Sequence, residues 1–162
     1  MSVPEYVLLA KQAIYRADKH PYAYELLFRS PLNLRAVDLG GDIATSQVLV
    51  NYCASVSHQA DQTTCPVFIN VEASYVKSHD GLPVSPDRVI IELNNYQCGD
   101  AELIASVEQW RKQGYRFSLD DVDLRNPPKG LLPFAEYAKV DVLDIDWLGV
   151  SELLAPLRRE GL

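Results

Sequence analysis

From residue 66 onward, short apolar runs alternate with amphipathic or proline-marked stretches, and this alternation constrains the fold more than any other feature. "PVFINVEAS" (66–74) and "RVIIELNN" (88–95) are of buried-strand length and apolar through most of their course. Such runs belong to strands covered on both faces, as in a parallel sheet with helices packed upon it. Between the second run and the next strand, "YRFSLDD" (115–121), Asp100 opens the segment "AELIASVEQWRKQG". Leu103, Val107 and Trp110 make an apolar stripe there, and Gly114 supplies a left-handed stop, which together predict a helix. The proline-rich "RNPPKG" and a short helix at 131–137 then lead to a strand, "AKVDVLDID" (138–146), and "LGVSELLAPLRREGL" reads as a last helix.

Upstream the pattern differs. "VLLAKQAIY" (7–15) and "AYELLFRS" (23–30), joined by "RADKHP", read as an antiparallel hairpin. "IATSQVLVNYCASVSHQ" (43–59) reads as a helix with Asp42 as N-cap and Ile43, Val50 and Cys53 or Val56 near one face. No low-complexity stretch or internal linker interrupts residues 1–162, so a single domain is expected. "APLRREGL" repeats the basic helix end and glycine that precede the strand at 115–121. By that grammar another strand belongs after it, and the expectation is a domain completed by something outside these residues.

Composition narrows the function classes. The 162 residues, 48% hydrophobic and 23% charged, suffice for one soluble domain with a core. A formal net charge of −7 argues against a nucleic-acid surface, which needs a basic stripe to replace phosphate counterions. It leaves room for a small phosphorylated ligand held by a few local cations. No apolar run approaches the roughly 20 residues of a membrane helix, and the start "MSVPEYVLLAKQ" lacks the basic, extended apolar character of a signal peptide. Cys53, Cys65 and Cys98 are odd in number and share no metal-type spacing, as reduced thiols in a cytoplasmic protein would be. His20, His58 and His79 stand apart without a metal or catalytic motif.

The remaining chemistry is acidic and periodic. Glu25, Asn70, Glu92 and the pair Asp120–Asp121 fall at carboxyl ends of the expected strands, with Lys139 near the start of its run. In parallel barrels and open α/β sheets those ends converge on one rim, where ligands sit. Carboxylates and an amide oxygen suit hard cations such as Mg²⁺ or Mn²⁺. Two such ions could clamp a phosphodiester and activate a water, with a lysine positioning it. Each residue also has a structural alternative. Glu25 could pair with Arg29 or an exposed lysine, Asn70 could satisfy a turn, and Asp120 could cap the next helix.

Five ordered blocks resemble a known family. "KQAIY … YAYELLFR" is similar to the opening of EAL domains, the bacterial cyclic di-GMP phosphodiesterases, with their Gln-Pro-Ile and Glu-Ala-Leu-Leu-Arg. "INVEAS" resembles their Asn-Leu-Ser strand end, "VIIELNN" their Leu-Glu-Ile-Thr-Glu, "FSLDDVD" their Leu-Asp-Asp-Phe-Gly-Thr-Gly and "AKVD" their Lys-Ile-Asp. "YELLFR", "GGDIATSQVLVN" and the short interval between Asn70 and Glu92 resemble more specifically the EAL-like half of two-part signalling proteins that end in a helical HDOD domain.

The resemblance implies an α/β fold: an incomplete TIM-type (β/α) barrel, its first strand antiparallel, with about six of eight strands present. It implies that residues 1–162 are the N-terminal part of a longer chain, with an HDOD-type domain beyond them. By motif, Glu25, Asn70, Glu92 and Asp120 would hold one Mg²⁺ or Mn²⁺ and Asp121 would serve a second. Lys139 would orient the attacking water, while Gln12 and Arg29 would contact cyclic di-GMP. The departures are as informative. Asn94–Asn95 replace the usual Thr-Glu, "VDLR" replaces the glycine-bearing loop after the aspartates, and Ala13 stands where the family has proline. The family's late glutamate and glutamine would fall beyond residue 162. A barrel of about 250 residues would need roughly two more βα units. The expectation is therefore a degenerate, catalytically inactive EAL-like scaffold or regulatory module. An active phosphodiesterase yielding linear pGpG and a non-hydrolysing sensor are its rivals. Open sheet edges would favour self-association or a covering partner domain.

Overall fold

The computed structural model describes residues 8–29, 65–94, 96–123, 126–143 and 147–159. The helix expected over 43–59, with its Asp42 cap, lies outside them. Strands β1 (Leu8–Tyr15) and β2 (Pro21–Arg29) form the antiparallel hairpin, in register from Leu8 opposite Arg29 to Ala13 opposite Tyr24. Then come β3 (Val67–Glu72), α1 (Ala73–Ser78), β4 (Val89–Asn94), α2 (Ala101–Lys112), β5 (Arg116–Leu119), β6 (Tyr137–Ala138) and α3 (Trp147–Arg159). All six strands belong to one sheet in chain order, and every pairing after the hairpin is parallel.

The period of two along each strand sorts its side chains onto two faces. One set, including Leu26, Val67, Ile69, Val71, Val89, Ile91, Leu93, Phe117 and Leu119, joins the main core with Tyr75, Val76, Leu103, Val107 and Trp110 from α1 and α2. The other face starts with a small cluster of Ala23, Phe68 and Ile90. Two residues further along the same strands this second face turns polar, at Glu25, Asn70 and Glu92. Both faces are covered, which is why the strands read as continuous apolar runs.

The second face is concave. Neighbouring strands lie about 4.8 Å apart, so a flat sheet would separate β2 from β6 by roughly 19 Å. Yet the hydroxyls of Tyr22 and Tyr137 touch, Tyr137 packs edge-on against Phe68 at 5.4 Å, and Lys139 Nζ reaches Glu25 at 2.8 Å. Only a strongly curled sheet, part of a barrel, permits these contacts.

Helix α2 begins as expected: the Asp100 carboxylate accepts from the Leu103 amide at 3.0 Å, satisfying one of the free donors of the first turn. It also accepts from Lys77 at 3.1 Å, tying α1 to α2. Trp110, 1% exposed, donates its indole N–H to the His79 carbonyl at 2.9 Å. After Gly114, at φ +99°, buried Tyr115 accepts from the Leu82 amide at 2.9 Å and reaches the Leu82 and Val84 carbonyls at 2.9 and 3.2 Å. That hydroxyl pins the loop between α1 and β4.

Three expectations need correction. The run 66–74 leaves extended structure at Glu72, and Ala73 starts a helical turn that buries Ala73, Tyr75 and Val76. The helix expected at 131–137 is a single 3₁₀ turn, Leu132–Phe134: Ala135 is already extended, at ψ 148°, and the Glu136 amide donates to the Phe117 carbonyl at 2.9 Å, drawing the chain alongside β5. The strand expected at 138–146 is Tyr137–Ala138, with residues 144–146 outside the described set. Its partner β5 ends at Leu119, opposite Ala138, so no further ladder is offered.

Candidate ligand site at the carboxyl rim of the sheet

Because β6 ends at Ala138, Lys139 stands at the carboxyl end of its strand, level with the other polar residues. Its backbone is fixed on both sides. The Lys139 amide donates to the Leu119 carbonyl at 2.8 Å, and its carbonyl accepts from the Val122 amide at 3.0 Å. From that position the ammonium reaches Glu25 Oε2 at 2.8 Å and makes a still closer ion pair with Glu92 Oε1. Asn70, opposite Glu92 in the β3–β4 register, donates from Nδ2 to Glu25 Oε1 at 3.0 Å. Its Oδ1 accepts from Asn94 Nδ2 at 3.3 Å.

The rim is therefore a connected network of Asn94, Asn70, Glu25, Lys139 and Glu92. Glu92 is its buried end, with no exposed surface. One carboxylate oxygen faces Lys139, and the other, like Asn94 Oδ1 and Ser118 Oγ, has no hydrogen-bond partner among the described residues. Complete burial pushes the Glu92 carboxyl up to about 7. Lys139 pulls it down in part, whereas the charges of Glu25 and Asp120 add to the rise. For Lys139 the largest influence, burial, lowers proton affinity, but Glu25 and Glu92 together outweigh it and leave the ammonium raised.

Asp120 follows β5 on the same rim. Its amide donates to the Leu93 carbonyl at 3.1 Å, and its own carbonyl accepts from the Tyr96 hydroxyl at 2.9 Å. Burial, with the nearby charges of Cys98, Asp120 and Asp121, pushes the Tyr96 hydroxyl up to about 12. Asp121 is exposed and takes a left-handed backbone at φ +47°. Gln12, also exposed, lies opposite Glu25 in the hairpin register. Arg29 is the last residue of β2, opposite Leu8.

The structure thus joins Glu25, Asn70, Glu92 and Lys139 directly, sets Asp120 close enough for its charge to act on Glu92, and leaves Asp121 and Gln12 at the exposed margin. Three participants carried no individual sequence signal as site residues: Phe68 beneath the lysine, Ser118 opposite Glu92, and Tyr96 on the Asp120 carbonyl. Inward position, two residues before a recognised rim residue, would have found the first two.

The donor chemistry suits a divalent ion, but the arrangement does not. Among the described residues, no group of three or more His, Cys, Asp or Glu side chains is gathered so as to hold a metal. The ammonium of Lys139 occupies the space between Glu25 and Glu92, and the Asn70 oxygen is engaged by Asn94.

No protein-family model matches the chain. Among curated proteins, it is 26% identical over 91% of its length to the uncharacterized protein YuxH of Bacillus subtilis. It is 24% identical over 83% of its length to the cyclic di-GMP phosphodiesterase CdgJ of Vibrio cholerae. The chain spans about a third of each relative, 36% and 32% respectively. Among solved structures, a manganese and cyclic di-GMP complex of Klebsiella pneumoniae BlrP1 superposes with a TM-score of 0.70, at 20% identity, over 99% of this chain and 49% of that one. The Bacillus subtilis YkuI protein, with an EAL domain and bound to its substrate cyclic di-GMP and calcium, gives 0.68 at 15% identity, over 96% and 46%. The class defined by the fold is the partial TIM-type barrel with an antiparallel first strand. In particular it is the fold of EAL domains, as the sequence blocks implied. No helix among the described residues is long and apolar enough to cross a membrane.

Proposed function

We propose that this chain is a degenerate EAL-like module of cyclic di-GMP-related signalling, acting as a scaffold or regulatory domain without hydrolysing the dinucleotide. The observation that carries this reading is the ion-paired rim, in which Lys139 ties Glu25 to Glu92 where the resemblance would place a metal. Two-metal phosphodiester hydrolysis depends on a nearly complete oxygen set in tight geometry. Here the glycine-bearing loop after Asp121 is replaced by Val122–Arg125. The expected partners are an HDOD-type domain, another signalling protein or a second copy of this chain.

A second reading, an Mg²⁺- or Mn²⁺-dependent phosphodiesterase, draws on the convergence of Glu25, Asn70, Glu92 and Lys139 and on the named activity of CdgJ. A non-hydrolysing sensor of cyclic di-GMP stands between the two. Incubation with cyclic di-GMP and either ion, with product analysis and calorimetry, separates them. Scaffold function predicts neither heat nor pGpG, and a sensor predicts binding without product. Turnover at an ordinary enzymatic rate would overturn the proposal.

A further inference from the structure

We infer that Lys139 is the resident cation of the rim, so that Glu25 and Glu92 have their counter-charge without a divalent ion. Three contacts surround its ammonium, and a fourth steadies one of the partners. Glu25 Oε2 lies at 2.8 Å, Glu92 Oε1 is closer, the Phe68 ring lies beneath at 5.8 Å, and Asn70 holds the second oxygen of Glu25 at 3.0 Å. A hard divalent ion asks for six or more oxygens, waters included, and so for open polar space around the carboxylates that hold it. An ammonium is content with three acceptors and gains from an aromatic face within about 6 Å. This cradle, two carboxylates over a phenyl floor, fits the second kind of cation.

The position is also built rather than adventitious. Both backbone groups of Lys139 are bonded to the end of β5 and the residues after it, so its Cα is fixed relative to Glu92 on the neighbouring strand. With Lys139 removed, the buried Glu92 would have to keep its proton beside Glu25 or take up another cation. A divalent ion would then be the natural replacement. The inference deepens the reading of the rim as non-catalytic and shares that premise. Its test measures ion binding rather than turnover, so the two can fail separately.

The test uses the whole chain, in EDTA and in millimolar MgCl₂, MnCl₂ or CaCl₂. The wild-type Tm should move by less than about 1 °C, whereas an ion at a hundredfold its Kd would raise it by about 5–10 °C. Electron paramagnetic resonance should show only free Mn²⁺. Lys139→Met should melt lower in EDTA and regain at least half the loss in Mn²⁺. Lys139→Arg should stay close to wild type without ions. Should Lys139→Met fail to fold in EDTA, the double variant Glu25→Gln/Lys139→Met, which removes one charge of each sign, should fold there. An ion-dependent rise of several degrees in the wild type, a bound Mn²⁺ signal, or a folded Lys139→Met indifferent to ions would overturn the inference.

Discussion

Replacing Glu92 by glutamine keeps the shape of the side chain and removes its titration, so the difference between variant and wild type isolates one buried group. In the folded protein the Glu92 carboxyl is pushed up to about 7 from the ordinary 4.5, chiefly because it has no contact with water. Lys139 opposes the rise without cancelling it, and Glu25 and Asp120 reinforce it. Between these two values the folded chain holds a proton that the unfolded chain has released. Folding is therefore favoured by acid at this position. The contribution is complete below the unfolded value and is lost as pH climbs through the folded one. A rise from 4.5 to about 7, at about 1.4 kcal/mol for each tenfold change in proton affinity, corresponds to about 3 kcal/mol. Urea unfolding of both proteins in EDTA, from about pH 4 to pH 8, measures it, because titrations common to the two cancel in the difference. Wild-type stability minus that of Glu92→Gln should fall by about 3 kcal/mol across this range. A flat difference, or one that grows with pH, would refute the claim that burial outweighs Lys139 at this carboxylate.

Other perturbations test the scaffold that holds the rim. Trp110→Ala should destabilise by about 3–5 kcal/mol in urea unfolding, since it empties the centre of the core and frees the His79 carbonyl. Tyr115→Phe leaves the Leu82 amide and carbonyl without their buried partner, and should cost about 1–3 kcal/mol with faster amide exchange over 79–84. Asp121→Gly relieves a left-handed backbone at φ +47°, so it should leave stability unchanged or raise it by up to about 1 kcal/mol, read as Tm. A loss of stability there would mean that the Asp121 carboxylate holds part of the rim together.

Much of the fold was legible because sequence period and burial agree. In α2, Leu103, Val107 and Trp110 are the residues whose spacing predicts the helix, and they are the ones buried. β3, β4 and β5 announce themselves because both faces are covered, at Ile69 and Phe68 alike. The boundaries that failed have local causes with weak signals. No breaker separates Glu72 from Ala73, so the run into α1 looks like more strand. Nothing within "AKVDVLDID" reveals that β5 has already ended and offers no ladder beyond Leu119.

That last error bears on the site itself. With a strand over 138–146, Lys139 would sit near its amino end, far from the rim residues with which the sequence groups it. The shorter β6 moves it to the carboxyl end, and the curl of the sheet brings it to Glu25 on the far side of three intervening strands. Neither fact has a local sequence signature, since curl arises from the summed geometry of six strands. Polar residues at strand ends were readable as a constellation, but their mutual charge balance was not. Spacing alone cannot distinguish carboxylates awaiting a metal from carboxylates already answered by a lysine. The distinction rests on a side chain whose ammonium closes the gap, and so the character of the rim turns on the placement of one residue at the end of a two-residue strand.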